Sequence, residues 1–256
     1  WDDNPIEREK IRLNLKDVDV IEPDPDISKW STQLLEYDGF SKFITTKEDK
    51  LKTKQYKQRE KFIEHKSSFK DEFNYLKNIK LKPALVAINK STINRAVQLC
   101  QKTNQFNLRT KRYDVNDLLK LNKKDICFLI NLTDVYGDHG LVGLICLKVV
   151  DKNYIFLDTF LMSCRILGRH LESWILNEIK KIAKNKKRNY ILAEFIPTKR
   201  NQIAKNFLKK NNFDKIEKKK LKKTIGDLKY QFIENSNSDY FIFNTDKNIP
   251  NIEIYE

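Results

Sequence analysis

Through residue 80 the apolar positions are sparse and set among charges at helical spacing. "PIEREKIRLNL" (5–15) reads as a helix with Pro5 in its first turn, where a missing N–H costs nothing. "EPDPD" (22–26) halts regular structure because each proline restricts the residue before it, and 27–36 reads as a second short helix. Residues 46–80 are charged and helical, with only Phe62, Phe69, Phe73 and Leu76 to bury, and "SFKDEFNYL" offers Ser68 as an N-cap with Asp71 three residues on. Such a stretch is a connector that lies against something else.

Near Pro83 the pattern changes. "ALVAI" (84–88) is strand-like, and 91–101 then sets Ile93, Ala96, Val97 and Cys100 on one helical face. Three apolar runs joined by short turns follow: "ICFLINL" (126–132), "GLVGLICLKVV" (140–150) and "YIFLDTFLMS" (154–163). A helix buries Leu171, Trp174, Ile175, Ile179 and Ile182; then come a strand (190–196), a helix (200–211) and a last strand (240–244). A strand meander followed by helix, strand, helix and strand predicts an α/β (α+β) domain with a mixed sheet over 81–256, preceded by the segment 1–80.

Composition narrows the function classes. No apolar run approaches the roughly 20 residues of a membrane span and nothing resembles a signal peptide, so the expected compartment is the cytoplasm. Cys100, Cys127, Cys146 and Cys164 are far apart without metal-ligand spacing and read as reduced thiols. The net charge of +15 attracts polyanions, yet no basic patch is interleaved with aromatics. Acidic proteins and phosphorylated ligands therefore fit better than nucleic acid. The chain opens on Trp1, and its only methionine is Met162; it is expected to begin inside a longer protein.

The chemistry concentrates in "FLMSCRILGRHLE" (160–172), where a strand hands over to a helix. A thiol at Cys164 feels the positive end of a helix dipole and the charge of Arg165, both of which favour thiolate, the nucleophilic form. The competing reading makes Cys164 a small apolar filler. Arg165, Gly168 and Arg169 bring backbone N–H groups and charge to a helix N-terminus, a combination that cradles phosphate. Asp158 lies six residues before Cys164, so regular alternation would put both side chains on one face. His139 offers a base that titrates near neutrality, or a plain turn residue. No role is assigned to His65.

The layout resembles the GNAT acyltransferase fold, in which a glycine-containing strand–helix turn holds the coenzyme A (CoA) pyrophosphate. In that fold a later asparagine-bearing turn and helix flank the pantetheine; Asn201, Phe207 and Phe213 match the pattern. Asn212 and His170 stand where glycines are usual in GNAT sequences, which suits a carrier-borne phosphopantetheine better than free CoA. A closer resemblance is to the FkbH-like family, carried by "DDNPIER" (2–8), "QLCQKTNQFNLRTKRY" (98–113), "DVYGDHGLVG" (134–143), "LDTFLMSCRILGRHLE" (157–172) and "PTKRNQ" (197–202).

Members of that family join a HAD-type phosphatase domain to a GNAT-like domain. They load a glyceryl unit from a phosphorylated three-carbon acid onto an acyl carrier protein for polyketide-type assembly. The resemblance implies that Cys164 holds the acyl group as a thioester. Arg165, Gly168 and Arg169 would take the carrier's phosphate, and Asn104, Gln105, Asn107, Thr198 and Asn201 would position substrate or pantetheine, the amides of 104–107 serving equally well as ties between a helix end and a strand. Asp158 and His139 complete the catalytic candidates, although the family usually shows asparagine at the latter position. "DDNP" is similar to the final HAD motif, so Asp2 and Asp3 would help hold Mg²⁺ only in an intact HAD domain. The nucleophilic aspartate of such a domain would lie upstream of Trp1, and no phosphatase activity is expected of this chain. "DVDV" (17–20) imitates that nucleophile motif but follows the last one and lacks a buried strand before it. Two alternatives stay open: transfer from acyl-CoA to an amine or sugar, and a non-catalytic module that docks a carrier protein.

Overall fold

A computed structural model describes residues 1–40, 51–69, 71–225, 237–250 and 254–255. The expected helix over 46–50 lies outside the described residues. The chain forms two compact units, 1–45 and 46–256.

In the smaller unit, helix α1 (Pro5–Asn14) starts as its sequence dictates: Asn4 accepts from the Ile6 N–H at 3.0 Å and Pro5 fills the first position. Arg8, 7% exposed, donates to the carbonyls of Asp2 and Asp3, each at 2.9 Å, and pairs with Glu22 at 3.0 Å. A 3₁₀ turn (Ile27–Lys29) leads into α2 (Trp30–Glu36), and Trp30 meets Trp1 edge-on.

In the larger unit, α3 (Lys52–Ser68) and α4 (Glu72–Asn78) precede β1 (Lys82–Ala87). Asp71, rather than Ser68, caps α4: its carboxylate accepts from the Phe73 N–H at 2.9 Å, so the helix begins a turn later than the box motif suggested. Next come α5 (Ile93–Lys102), β2 (Phe106–Asn107), α6 (Val115–Lys124), β3 (Ile126–Asp134), β4 (Gly137–Val149) and β5 (Tyr154–Met162). A 3₁₀ turn (Cys164–Ile166), α7 (Leu171–Asn185), β6 (Tyr190–Phe195), α8 (Phe207–Lys210), β7 (Asp214–Ile216), α9 (Lys218–Ile225) and β8 (Asp239–Asn244) complete it. Helix α6 escaped the apolar-run reading, yet Asp114 and Asp117 form a reciprocal capping box at its start.

The sheet order is β1-β3-β4-β5-β6-β8-β7, antiparallel except for β5 and β6, which α7 connects. This is the anticipated α/β class with a mixed sheet flanked by helices. One face carries the apolar sides of α4 and α7 together with Phe62 of α3; the other carries Ile93, Ala96, Leu99 and Cys100 of α5 and Leu118 of α6. Both sets follow helical spacing, which is why the sequence could place them. Among the described residues no helix is long and apolar enough to cross a membrane.

Two irregularities of β5 shape the site. Cys146 pairs with Thr159 but Leu147 pairs with Leu157, leaving Asp158 as an extra residue in a bulge. Ile155 and Leu157 face the α7 side before the bulge, and Phe160 and Met162 face it afterwards, so the parity has flipped. Beyond Leu157 the pairing with β6 ends, and β2 takes its place beside Leu161 and Met162. Leu108 bridges the gap: its N–H donates to Phe160 and its carbonyl accepts from Ile196.

Candidate active site

Where β5 ends, Ser163 accepts from the Arg165 N–H and the chain tightens into the 3₁₀ turn that begins at Cys164. Cys164 is exposed, whereas the other three cysteines are buried. Burial pushes the Cys100 thiol up to about 12, and the Cys127 contact together with burial raises Cys146 as well. The filler reading therefore fits those three and not Cys164. Arg59 of α3 donates to the Cys164 carbonyl.

Gly168 has φ +87°, a conformation that suits glycine, with Phe62 and Lys66 beside it. His170 follows at φ +54° and Asn212 has φ +65°, both left-handed. At both positions the backbone is in the left-handed region that favours glycine. Asparagine adopts it at low cost, and histidine more readily than most residues. His170 precedes α7 without capping it by its side chain, while its carbonyl accepts from the Ser173 N–H at 2.9 Å.

Arg169 departs from expectation. Its side chain is 0% exposed, its Nε lies 3.2 Å from Asp134 Oδ2, one of its terminal nitrogens donates to the Arg165 carbonyl at 3.3 Å, and its guanidinium stacks 3.8 Å over Phe62. It cannot also reach a phosphate at the surface. Arg169 braces the turn instead, because a charge this deep needs a buried partner. Arg165 is itself 9% exposed, so its side chain too is largely withdrawn.

His139 belongs to the same brace. Its Nε2 lies 2.9 Å from Asp134 Oδ2, and its carbonyl accepts from Gln55 of α3. Burial pushes the Asp134 carboxyl up, but His139, Arg169 and the Tyr136 N–H together hold it below the ordinary carboxylate range. The "DVYGDHG" and "SCRILGR" motifs are thus tied by an ionic contact.

Asp158 does not share a face with Cys164. The bulge turns it to the α5–α6 side, where Arg109 (2.7 Å), Lys148 (2.9 Å) and the Tyr113 hydroxyl (2.5 Å) surround it. Burial opposes its ionisation, yet Arg109 and Lys148 outweigh that and lower its pKa. Arg109 also reaches Glu194 at 2.8 Å, and both carboxylates are 0% exposed.

The amides of the resembled motifs bond within the chain. Asn107 donates to the Thr103 carbonyl at the end of α5 and accepts from the N–H groups of Arg109 and Thr110. Asn201, 0% exposed, donates to the carbonyls of Asn107 and Ile196 and accepts from the Thr198 N–H. Thr198 closes the turn by accepting from Arg200 and Asn201. Arg112 donates to Asn104, and Gln105 is exposed. The tie between a helix end and a strand is therefore realised for Asn107.

A cavity of about 390 Å³ opens beside the turn. Gly168, His170, Glu172 and Ser173 form one wall, Ile203, Asn206, Phe207, Lys210 and Asn211 the opposite one, and Phe106 of β2 reaches in as well. Of the predicted residues Gly168 lies on it; Cys164, Asp158, His139 and Arg169 do not. Glu172, which closes the 157–172 motif but was given no role, and Lys210, which lies outside the motifs, are functional candidates that the sequence reading missed. Burial raises the Glu172 carboxyl, against the opposing pull of its own backbone N–H and of His170.

Asp2 accepts from the Asn4 N–H, and among the described residues no three acidic, histidine or cysteine side chains converge on a cation position.

No protein-family model and no curated protein matches the chain. Among solved structures it is similar to an Ard1 from Thermoplasma volcanium (14% identity, 63% of this chain and 97% of that one, TM-score 0.46). A GNAT-family acetyltransferase from Staphylococcus aureus Mu50 gives 14% identity over 64% of this chain and 99% of the other, with TM-score 0.47. N-acetylglutamate synthase from Neisseria gonorrhoeae, complexed with coenzyme A and N-acetyl-glutamate, gives 12% identity over 65% and 35%, with TM-score 0.46.

Proposed function

We propose that the protein is an acyltransferase that works with a phosphopantetheine arm and carries the acyl group on Cys164. The cavity carries this reading: it adjoins the turn that begins with the one exposed cysteine, and its make-up suits such an arm. Its volume falls within the ~300–1,000 Å³ of small-ligand sites. The α7 N-terminus and Lys210 supply positive potential for the phosphate, while Phe106, Ile203 and Phe207 offer apolar wall to the chain behind it. The arm enters from this side, because β2 fills the space between the diverging strands β5 and β6.

In the reaction the Cys164 thiolate attacks the acyl carbonyl and expels the donor's leaving group. The arm's thiol then attacks that thioester, Cys164 leaves as thiolate, and the thiol proton passes to it or to water. The motif resemblance supports a glyceryl or related hydroxyacyl group and an acyl carrier protein as the partner. A phosphorylated three-carbon acid and Mg²⁺ would be handled by a HAD-type domain. The exposed Lys199, Arg200, Lys205 and Lys209 near the cavity favour encounter with an acidic carrier.

Incubation with an acyl-charged carrier protein tests this by intact mass. Wild type is expected to gain one acyl mass on Cys164, and Cys164→Ala to gain none while the carrier stays charged. Discharge of the carrier with no adduct on wild type, at an undiminished rate in Cys164→Ala, overturns it. One observation favours a second reading, direct transfer from acyl-CoA: Cys164 is not among the residues lining the cavity. That reading expects tight binding of free CoA and full activity in Cys164→Ala.

A further inference from the structure

We propose that the pocket between α6 and β4, on the sheet face opposite the Cys164 turn, is a second ligand site that takes the phosphate group of a small molecule. Its volume is about 230 Å³, and Lys111, Lys120, Lys124 and Lys148 line it together with Tyr113 and Asp117. Lys120 and Lys124 lie four residues apart on α6 and so share a face at the pocket rim. Beneath the lining residues Lys111 and Lys148 lies Asp158 of the β5 bulge. As the extra residue, Asp158 is aimed to this side, and its carboxylate draws in Lys148 at 2.9 Å and Lys111 at 3.9 Å. Bulges recur where a side chain must be re-aimed next to a functional site.

The charges under and around the pocket do not cancel. Arg109 and Lys148 balance the buried Asp158 and Glu194, which leaves Lys111, Lys120 and Lys124 facing Asp117 and Asp125. Asp117 is engaged at the helix start, where it accepts from the Asp114 N–H. Lys111 is half-buried, and burial lowers its pKa more than Asp158 restores it, with Lys148 and Arg109 pushing the same way. An oxyanion in the pocket gives the crowded ammonium groups a shared counter-charge, and the Tyr113 ring, 4.9 Å from the Lys111 ammonium, offers an apolar surface to a carbon substituent.

Titration of the whole chain with inorganic phosphate and with ethyl phosphate, at fixed ionic strength and followed by amide NMR, tests the proposal. Saturable shifts around α6 and Lys148 are expected. The Lys120→Gln/Lys124→Gln pair is expected to weaken binding at least about tenfold, the loss of one charge-assisted contact or more. Lys181→Gln/Lys184→Gln removes the same charge from the solvent side of α7 and is expected to leave binding within about twofold, since exposed charges act weakly at a distance. Tighter binding of the ester identifies a phosphate monoester as the ligand; equal binding identifies the free ion. Absence of saturable binding, or equal weakening by both pairs, overturns the site, because the overall basicity of the protein would then account for any attraction.

Discussion

Arg169 Nε lies 3.2 Å from Asp134 Oδ2, and this contact joins the turn that carries Cys164 to the β3–β4 hairpin. Both side chains are 0% exposed. From Asp134 the brace extends to His139 and to the Tyr136 N–H; from Arg169 it extends to the Arg165 carbonyl. The position of the Cys164 turn thus depends on a carboxylate 30 residues before Cys164 in sequence.

Removing that carboxylate leaves a buried guanidinium without its counter-charge. Asp134→Ala is expected to destabilise the larger unit by about 3–5 kcal/mol, measured by urea unfolding. A loss under about 1 kcal/mol would mean that Arg169 finds another partner or water.

Acid weakens the fold through the same kind of group. Asp134 and Asp158 both have folded-state pKa values below their unfolded ones. Such carboxylates contribute stability above the unfolded value, near ~4, and lose it as pH falls through the folded value. Unfolding free energy is expected to hold from neutrality to about pH 5 and to fall below about pH 4. An Asp158→Asn variant is expected to show a shallower acid slope, and an unchanged slope would remove Asp158 from the account.

Thiol accessibility separates Cys164 from its three counterparts. Under native conditions iodoacetamide is expected to modify one of the four cysteines, Cys164, and all four after unfolding. Cys164→Ala is expected to take up no label while native. Mass spectrometry of tryptic peptides reads the result, and labelling of Cys100 in the native state would contradict the packing of α5.

Left-handed backbone at Asn212 makes a sharp comparison. Asn212→Gly and Asn212→Ala both lose the side-chain bond to the Asn248 carbonyl, but only alanine resists a φ of +65°. The alanine variant is expected to be less stable than the glycine variant by about 1–2 kcal/mol in thermal or urea unfolding. Equal stabilities would show that this backbone relaxes.

The helices and strands were legible where burial follows a local period. Leu171, Ile175 and Ile179 on α7, and Ile93, Ala96 and Cys100 on α5, announced their faces by spacing alone. Gly168 stands in the expected strand–helix turn, at a positive φ of 87°. Alternation along β5 misled for one reason: a bulge adds a residue without any sequence mark, and every side chain beyond it changes face. Arginine beside a glycine turn suggested phosphate, and nothing in that segment disclosed that Asp134 would claim Arg169.

By itself the sequence determined the elements and their apolar faces, since period and capping chemistry act over a few neighbouring residues. Only the tertiary structure decided which charges are buried and with whom, because those partners stand far apart in the chain: 35 residues for Asp134 with Arg169, 85 for Arg109 with Glu194. Burying a charge is tolerable only once its partner has arrived, and packing, not sequence neighbours, brings it there.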